Sequence, residues 1–190
     1  ETTLPYQALR DLLEHLANRH GEPFELNEAV KATQISAITI KKILFAFEAL
    51  FLIRRVRCAG DRKRDTFFLE DQGMASWIAR RDLSTPSDVT RGLYAHLRQE
   101  LHYRPEWNGR ISQFRTKHDV IFPLVFDAAR AKVGIVSTLD SDLRPKTIAT
   151  ANAFLKKNPG FKCVIASATK EPVALSENLF VIPFTWLLRA

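Results

Sequence analysis

What this sequence withholds narrows it before anything else does. It has no apolar run near the roughly 20 residues that a membrane-spanning helix needs, and the longest, around residues 43–53, is broken by Glu48. It has two cysteines, Cys58 and Cys163, far apart and outside any paired-Cys or Cys/His metal spacing. Two unlinked thiols fit a reducing cytoplasm better than a disulfide scaffold. There is no G-x-x-x-x-G-K-[ST] and no G-x-G-x-x-G, so neither familiar phosphate cradle is present and no cofactor is expected in this chain. There is no H-E-x-x-H and no G-x-S-x-G elbow, and no nucleophile stands out. Internal repeats and low-complexity tracts are absent. An initiator Met and a basic-then-apolar signal pattern are absent too, so the chain reads as a piece of something longer, opening at Glu1 with a helix almost at once.

What is there is globular. With 190 residues, 46% hydrophobic and 26% charged, the chain has room for one large domain or two small ones. The net charge of +7 is uneven. Residues 1–83 hold 13 Lys/Arg against 12 Asp/Glu, a balance of +1, whereas residues 84–190 hold 15 against 9, a balance of +6. The first half is therefore nearly neutral, and its attraction to a polyanion depends on where its cations cluster.

Residues 4–20 carry Ala8, Leu9, Leu12, Leu13 and Leu16 on one amphipathic helical stripe, with Pro5 in the first turn and Gly21 as a stop. Asn27 is a good N-cap for a second helix, and Ser36 for a third. The stretch QISAITIKKILFAFEALFLIRRV, residues 34–56, reads as that third helix running into a strand. Residues 52–58 and 66–69 read as the two strands of a hairpin around a Gly-Asp turn. Three helices followed by a hairpin predict a winged helix, a fold usually met in DNA-binding proteins. A short helix over residues 71–81 precedes a boundary rich in Ser, Thr and Pro, which predicts domains over residues 1–83 and 84–190. Beyond it the pattern gives a helix over 89–103, strands over 109–116, 119–126 and 132–138, a helix over 145–157 stopped by Asn158-Pro159-Gly160, and a buried strand over 162–168. A last short strand at 181–183 and a turn through 184–188 close the chain. The predicted class is α/β (α+β), an N-terminal winged helix followed by a mixed-sheet domain.

The second half has a further resemblance. Glu100 on a helix, Phe114-Arg115 on a strand, Asp119 opening the next strand and the run from Val133 to Ser137 resemble the core of the PD-(D/E)XK, restriction-endonuclease-like fold. Together with LNEAVKATQISAITIKKILFAFEALFLIRRV, FFLEDQGMASWIA and VIPFTWLL, this layout resembles the uncharacterised C-terminal region that follows the AAA-type ATPase module in many bacterial and archaeal proteins. The resemblance covers nearly the whole chain. It implies that ATP binding belongs to a module outside these residues, in the same polypeptide. In the nuclease-like fold an Asp and a Glu gather a divalent metal and a Lys two residues past the Glu orients water. The family commonly shows Glu-Val-Asp at the second strand and Ile-Glu-Val-Lys at the third. Here the second strand offers a single acid, Asp119, after His118, and Gly134 and Val136 stand where the Glu and the Lys would be. Glu100 and Asp119 are left as vestigial candidates that would hold Mg²⁺ poorly, and no catalytic or metal role is expected. His96 and Glu100, four apart on one helix, read as a surface hydrogen-bonded pair.

Two surfaces remain as candidates. The hairpin holds Arg54, Arg55, Arg57, Arg62, Lys63 and Arg64 against Asp61 and Asp65, and a basic wing that grips phosphate non-specifically is the functional reading. The other reading is a solvated hairpin whose charges blunt an edge. On the third helix, placing Ile40, Leu44, Phe47 and Phe51 toward the core at about 100° per residue sends Ile38, Lys42, Phe45 and Ala49 outward. Only Lys42, with Lys41 on its flank, suits base readout there. Ile38 and Phe45 point instead to a protein contact: the second domain, a second copy of the chain or the ATPase module. The expected function is that of a non-catalytic region binding nucleic acid non-specifically through the wing; the alternatives are protein docking or homo-oligomerisation, and then metal-dependent cleavage by Glu100 and Asp119. No membrane partner is expected.

Overall fold

A computed structural model describes residues 6–19, 21–60, 64–80, 85–115, 121–129, 131–141 and 143–187. The protein is mixed α/β, and its contacts divide it into two compact units. The first comprises Glu1–Val56 and Arg64–Leu83, the second Arg57–Lys63 and Ser84–Ala190. The chain thus passes between the units three times, after residues 56, 63 and 83.

The first unit begins with α1 (Tyr6–Asn18), α2 (Leu26–Thr33) and α3 (Ala37–Ala49). α1 buries Leu12, Leu16 and Ala17, the inner half of its apolar stripe. α2 starts one residue before the expected cap: Glu25 is the extended N-cap residue, makes no side-chain cap bond, and Asn27 falls inside the first turn. α3 is capped as its sequence implies, the Thr39 N–H donating to Ser36 Oγ at 3.2 Å. Its buried face is Ile40, Ile43, Leu44 and Phe47, packed with Leu12, Leu16, Ala29, Ile53, Phe67 and Leu69. Phe51 is not part of it. Helix α3 ends at Ala49, Phe51 turns left-handed at φ 58°, and the Leu52 N–H returns to the Phe47 carbonyl at 2.9 Å. The helical period has stopped before Phe51, so its ring is left 65% exposed.

From there β1 (Ile53–Val56) runs out, and it pairs antiparallel not with its immediate successor but with a later strand. That successor, β2 (Cys58–Gly60), lies in the second unit, and the chain comes back as β3 (Thr66–Leu69) before α4 (Gln72–Ala79). The expected continuous hairpin over residues 52–69 is therefore split. Only Ile53↔Leu69 through Val56↔Thr66 form the ladder of a two-stranded sheet. α4 is capped by Asp71, whose carboxylate accepts from the Met74 N–H at 2.7 Å.

In the second unit α5 (Pro86–Tyr103) starts three residues earlier than its apolar pattern predicts. Pro86 presets the first turn, and a capping box closes it: the Thr85 N–H donates to Asp88 Oδ2 at 2.8 Å and the Asp88 N–H to Thr85 Oγ1 at 3.3 Å. After a one-turn 3-10 helix at Pro105–Trp107 come β4 (Arg110–Arg115), β5 (Ile121–Ala128) and β6 (Ala131–Ser137), an antiparallel meander. Helix α6 (Pro145–Lys157) crosses to β7 (Lys162–Ser167), parallel to β6. Then β8 (Val173–Ser176), β9 (Leu179–Pro183) and the single turn α7 (Phe184–Leu187) follow. The seven-stranded order is β2-β4-β5-β6-β7-β9-β8, with β2 parallel to β4 through Cys58↔Gln113. Phe122, Val125, Ala151, Phe154, Cys163, Ile165, Leu179 and Val181 form a core where α6 covers the sheet.

Candidate interaction surface

The wing cations are largely spoken for. Arg54 forms an ion pair with Glu70, and its guanidinium lies 4.8 Å from the Phe51 ring centre. Arg55 reaches Glu48 at 2.7 Å and Asp65 at 4.0 Å, over the Phe67 ring. Arg64 is paired with Glu25. Each half-exposed pair is worth at most about 1 kcal/mol, so none is locked. Yet every one sets a carboxylate beside the cation and cancels the local field that would draw a phosphate. Arg57 is exposed and belongs to the second unit, where its carbonyl accepts from the Gln113 N–H at 2.9 Å. Arg62 and Lys63 lie outside the described residues. Of the six expected wing residues, Arg54, Arg55 and Arg64 are thus matched by acids and Arg57 belongs to the second unit.

Helix α3 is a different kind of surface. Ile38 is 70% and Phe45 71% exposed, one on each side of Lys41 and Lys42, which are exposed and form no ion pair among the described residues. Leu50 and Phe51 continue the apolar surface beyond the helix end, at 67% and 65%. The inward residues Ile40, Leu44 and Phe47 fall between 0% and 8%. Outward base-reading donors are limited to the two lysines. The same unit carries a groove that no sequence pattern announces, about 920 Å³, between α1 and α4. Leu9, Leu13, Phe47 and Ile78 line it, and Tyr6 and Trp77 stand at it almost fully exposed. Among the described residues, six large exposed apolar side chains thus belong to one small unit: Tyr6, Ile38, Phe45, Leu50, Phe51 and Trp77.

Three of the nuclease-like positions, Glu100, Gly134 and Val136, fall within the described residues. Glu100 is ion-paired one turn on with Arg104 at 3.0 Å, and the expected bond to His96 is not formed. Asp119 lies outside the described residues. Gly134, standing where the resemblance puts a Glu, faces the core: a Cβ built there would meet Phe154 Cε1 at 2.5 Å and Phe122 Cε1 at 2.7 Å. Val136 packs against the same cluster, where Phe114, Phe122 and Phe161 surround Phe154. Both positions are occupied by the requirements of packing. Among the described residues no three His, Cys, Asp or Glu side chains come together as a metal site. Cys58 and Cys163 are both buried and unlinked, and burial pushes the Cys163 thiol up to about 12, so it stays protonated and unreactive. Among the described residues no helix is long and apolar enough to cross a membrane.

Compared with protein-family profiles, with curated proteins and with solved structures, the chain matches none.

Proposed function

We propose that this chain is a non-catalytic docking module whose first unit receives a protein partner on the outward face of α3. The observation that carries this is the exposure of Ile38 and Phe45 around Lys41 and Lys42. Burying two such side chains is worth about 1.5–3 kcal/mol each, which is the energy of an interface anchor rather than of a base reader. The lysines fix the chemistry of the partner: an apolar strip flanked by carboxylates. A second copy of the chain fits poorly, because a two-fold contact through Phe45 sets lysine against lysine on a chain of net charge +7.

The wing is the weaker grip for nucleic acid, since Arg54, Arg55 and Arg64 already face Glu70, Glu48 and Glu25. The helix–meander–helix–strand order of α5 through β7 supports reading the second unit as nuclease-like in fold, and the first unit's three helices and two-stranded ladder support a winged-helix reading. With Gly134 and Val136 committed to packing, we read the second unit as lacking nuclease chemistry. The resemblance to the region that follows an AAA-type ATPase module makes that module, in the same polypeptide, the first candidate to cover α3.

Phe45→Glu tests the reading. The side chain is outside the core, so the variant folds. Gel filtration of extract from cells expressing the protein is expected to move the variant out of the wild-type complex. An elution profile identical to wild type, together with unchanged limited proteolysis of the full-length polypeptide, would remove the docking role of this face.

A further inference from the structure

Helix α1 carries two apolar stripes. Leu12, Leu16 and Ala17 are buried in the core of the first unit. Tyr6, Leu9 and Leu13, spaced i, i+3 and i+7, form a second stripe, about 10 Å long, that borders the α1–α4 groove. Trp77 and Ile78 of α4 line the groove as well. Leu9, Leu13 and Ile78 are only partly buried, so each keeps an apolar edge for a neighbour. α4 itself is an unusual surface helix. None of its eight residues is charged and only Ala75 is buried, whereas a solvated helix carries charge on its outer face.

The two most exposed large hydrophobic side chains among the described residues, Trp77 at 81% and Tyr6 at 79%, both stand at this groove. Knob and hole therefore share one surface. A partner of different shape would fill the hole and leave the knob in water; a two-fold contact between identical copies uses both at once. The charges agree. Arg10 and Glu14 border the groove and pair with each other at 3.2 Å, an exposed contact of little energy that is free to exchange partners. With two copies of α1 antiparallel across the axis, Arg10 comes opposite the partner's Glu14 and Glu14 opposite the partner's Arg10. Arg80 is left as the groove's one cation in no ion pair among the described residues. The α3 face, by contrast, would set lysine against lysine. The area is of the right order too. Tyr6 and Trp77 of two copies bury on the order of 600 Å², and Leu9, Leu13, Ile78 and the arginine stems extend this toward the roughly 1,200 Å² at which stable interfaces begin.

We propose that the α1–α4 groove is the interface of a homodimer, in which Trp77 of each copy enters the groove of a second copy and the Arg10–Glu14 pairs exchange across the two-fold axis. The contact uses none of the outward residues of α3, so a dimer formed this way presents two α3 faces and doubles their hold on a partner that carries two copies of the target.

The experiment is analytical ultracentrifugation of the purified whole chain between about 1 and 100 µM, a range that spans a micromolar dimer. The wild type is expected to pass from monomer to dimer across it. Trp77→Ser, a change outside the core that keeps the wild-type circular dichroism, is expected to dimerise at least about 30-fold more weakly, because a symmetric contact loses each anchor twice. Arg10→Glu alone sets acid against acid across the axis, and Glu14→Arg alone sets base against base. Each is expected to dimerise about tenfold more weakly, and an equimolar mixture of the two to associate more tightly than either by itself. Phe45→Glu stays within about twofold of wild type. A wild type that is monomeric at about 100 µM overturns the proposal and leaves the groove to another occupant. So does a mixture that fails to recover, or a loss in Phe45→Glu equal to that in Trp77→Ser, which would move the dimer to α3. Because no other protein is present, each of the first two outcomes leaves the docking role of α3 standing.

Discussion

Phe122 and Phe154 stack face to face, ring centres 4.3 Å apart and 20° from parallel, with an edge of each ring where a Cβ on Gly134 would stand. The rings come from β5 and α6, so this contact clamps the helix to the sheet, and it does so at the position where the resemblance calls for a metal-binding carboxylate. Gly134→Ala is expected to lower stability by about 1–3 kcal/mol, the cost of forcing a methyl into a packed core. Thermal or urea unfolding measures it. An unchanged midpoint would mean that the rings yield and that the position is not closed to a side chain. Gly134→Glu is expected to lose more stability still and to gain no Mg²⁺- or Mn²⁺-dependent cleavage of DNA.

The split hairpin makes a prediction about coupling. In the Cys58↔Gln113 register the parallel ladder directs the Ala59 N–H at the Gln113 carbonyl. Ala59→Pro removes that donor and is expected to speed hydrogen exchange at the Gln113 amide, which donates to the Arg57 carbonyl, while the amides of α1 keep their protection. Unchanged exchange at Gln113 would argue against β2 as a working edge strand.

Most of this architecture is legible in the sequence where the signal is local. Pro145 and the Asn158-Pro159-Gly160 stop delimit α6 residue for residue, and the short apolar run Thr66–Leu69, buried at every position, gives β3. β2 is not legible, because its partner Gln113 lies more than 50 positions away and three residues carry no period of their own. β8 escapes for another reason: all four of its residues are exposed, so no inside–outside alternation marks it. Phe51 misleads because it keeps the helical spacing of Phe47 after the helix has ended. On the candidate surfaces, the exposure of Ile38 and Phe45 follows from spacing alone. The neutralisation of Arg54, Arg55 and Arg64 does not, since Glu70, Glu48 and Glu25 reach them only through tertiary folding.

Ser36→Ala is expected to destabilise the first unit by about 1 kcal/mol, because the Thr39 N–H loses its cap and α3 its defined start. Denaturant unfolding of the whole chain, followed by a probe in the first unit, gives the number. A change below a few tenths would place the start of α3 under tertiary control.

His15 gives the first unit a pH dependence. It is held below its usual 6.5, first by burial and then by Arg19, against a smaller opposing pull from Glu28. The imidazole packs edge-on to Phe24. A lowered folded-state value means that folding favours the neutral ring. Its contribution is therefore present in full above about 6.5 and is lost as pH falls through the lowered value. Stability of the wild type is expected to decline from pH 7 toward pH 5 more than that of His15→Gln. Parallel declines would assign the acid sensitivity to other groups.

The central claim is that α3 meets protein and not bases. The most direct measurement is site-specific photo-crosslinking in cells, with a benzophenone side chain in place of Phe45 and, as the comparison, in place of Arg55. The account predicts an adduct at position 45 that resists nuclease and is destroyed by protease. An adduct at position 45 that collapses on nuclease treatment, or nucleic-acid adducts formed from position 55 alone, would contradict it.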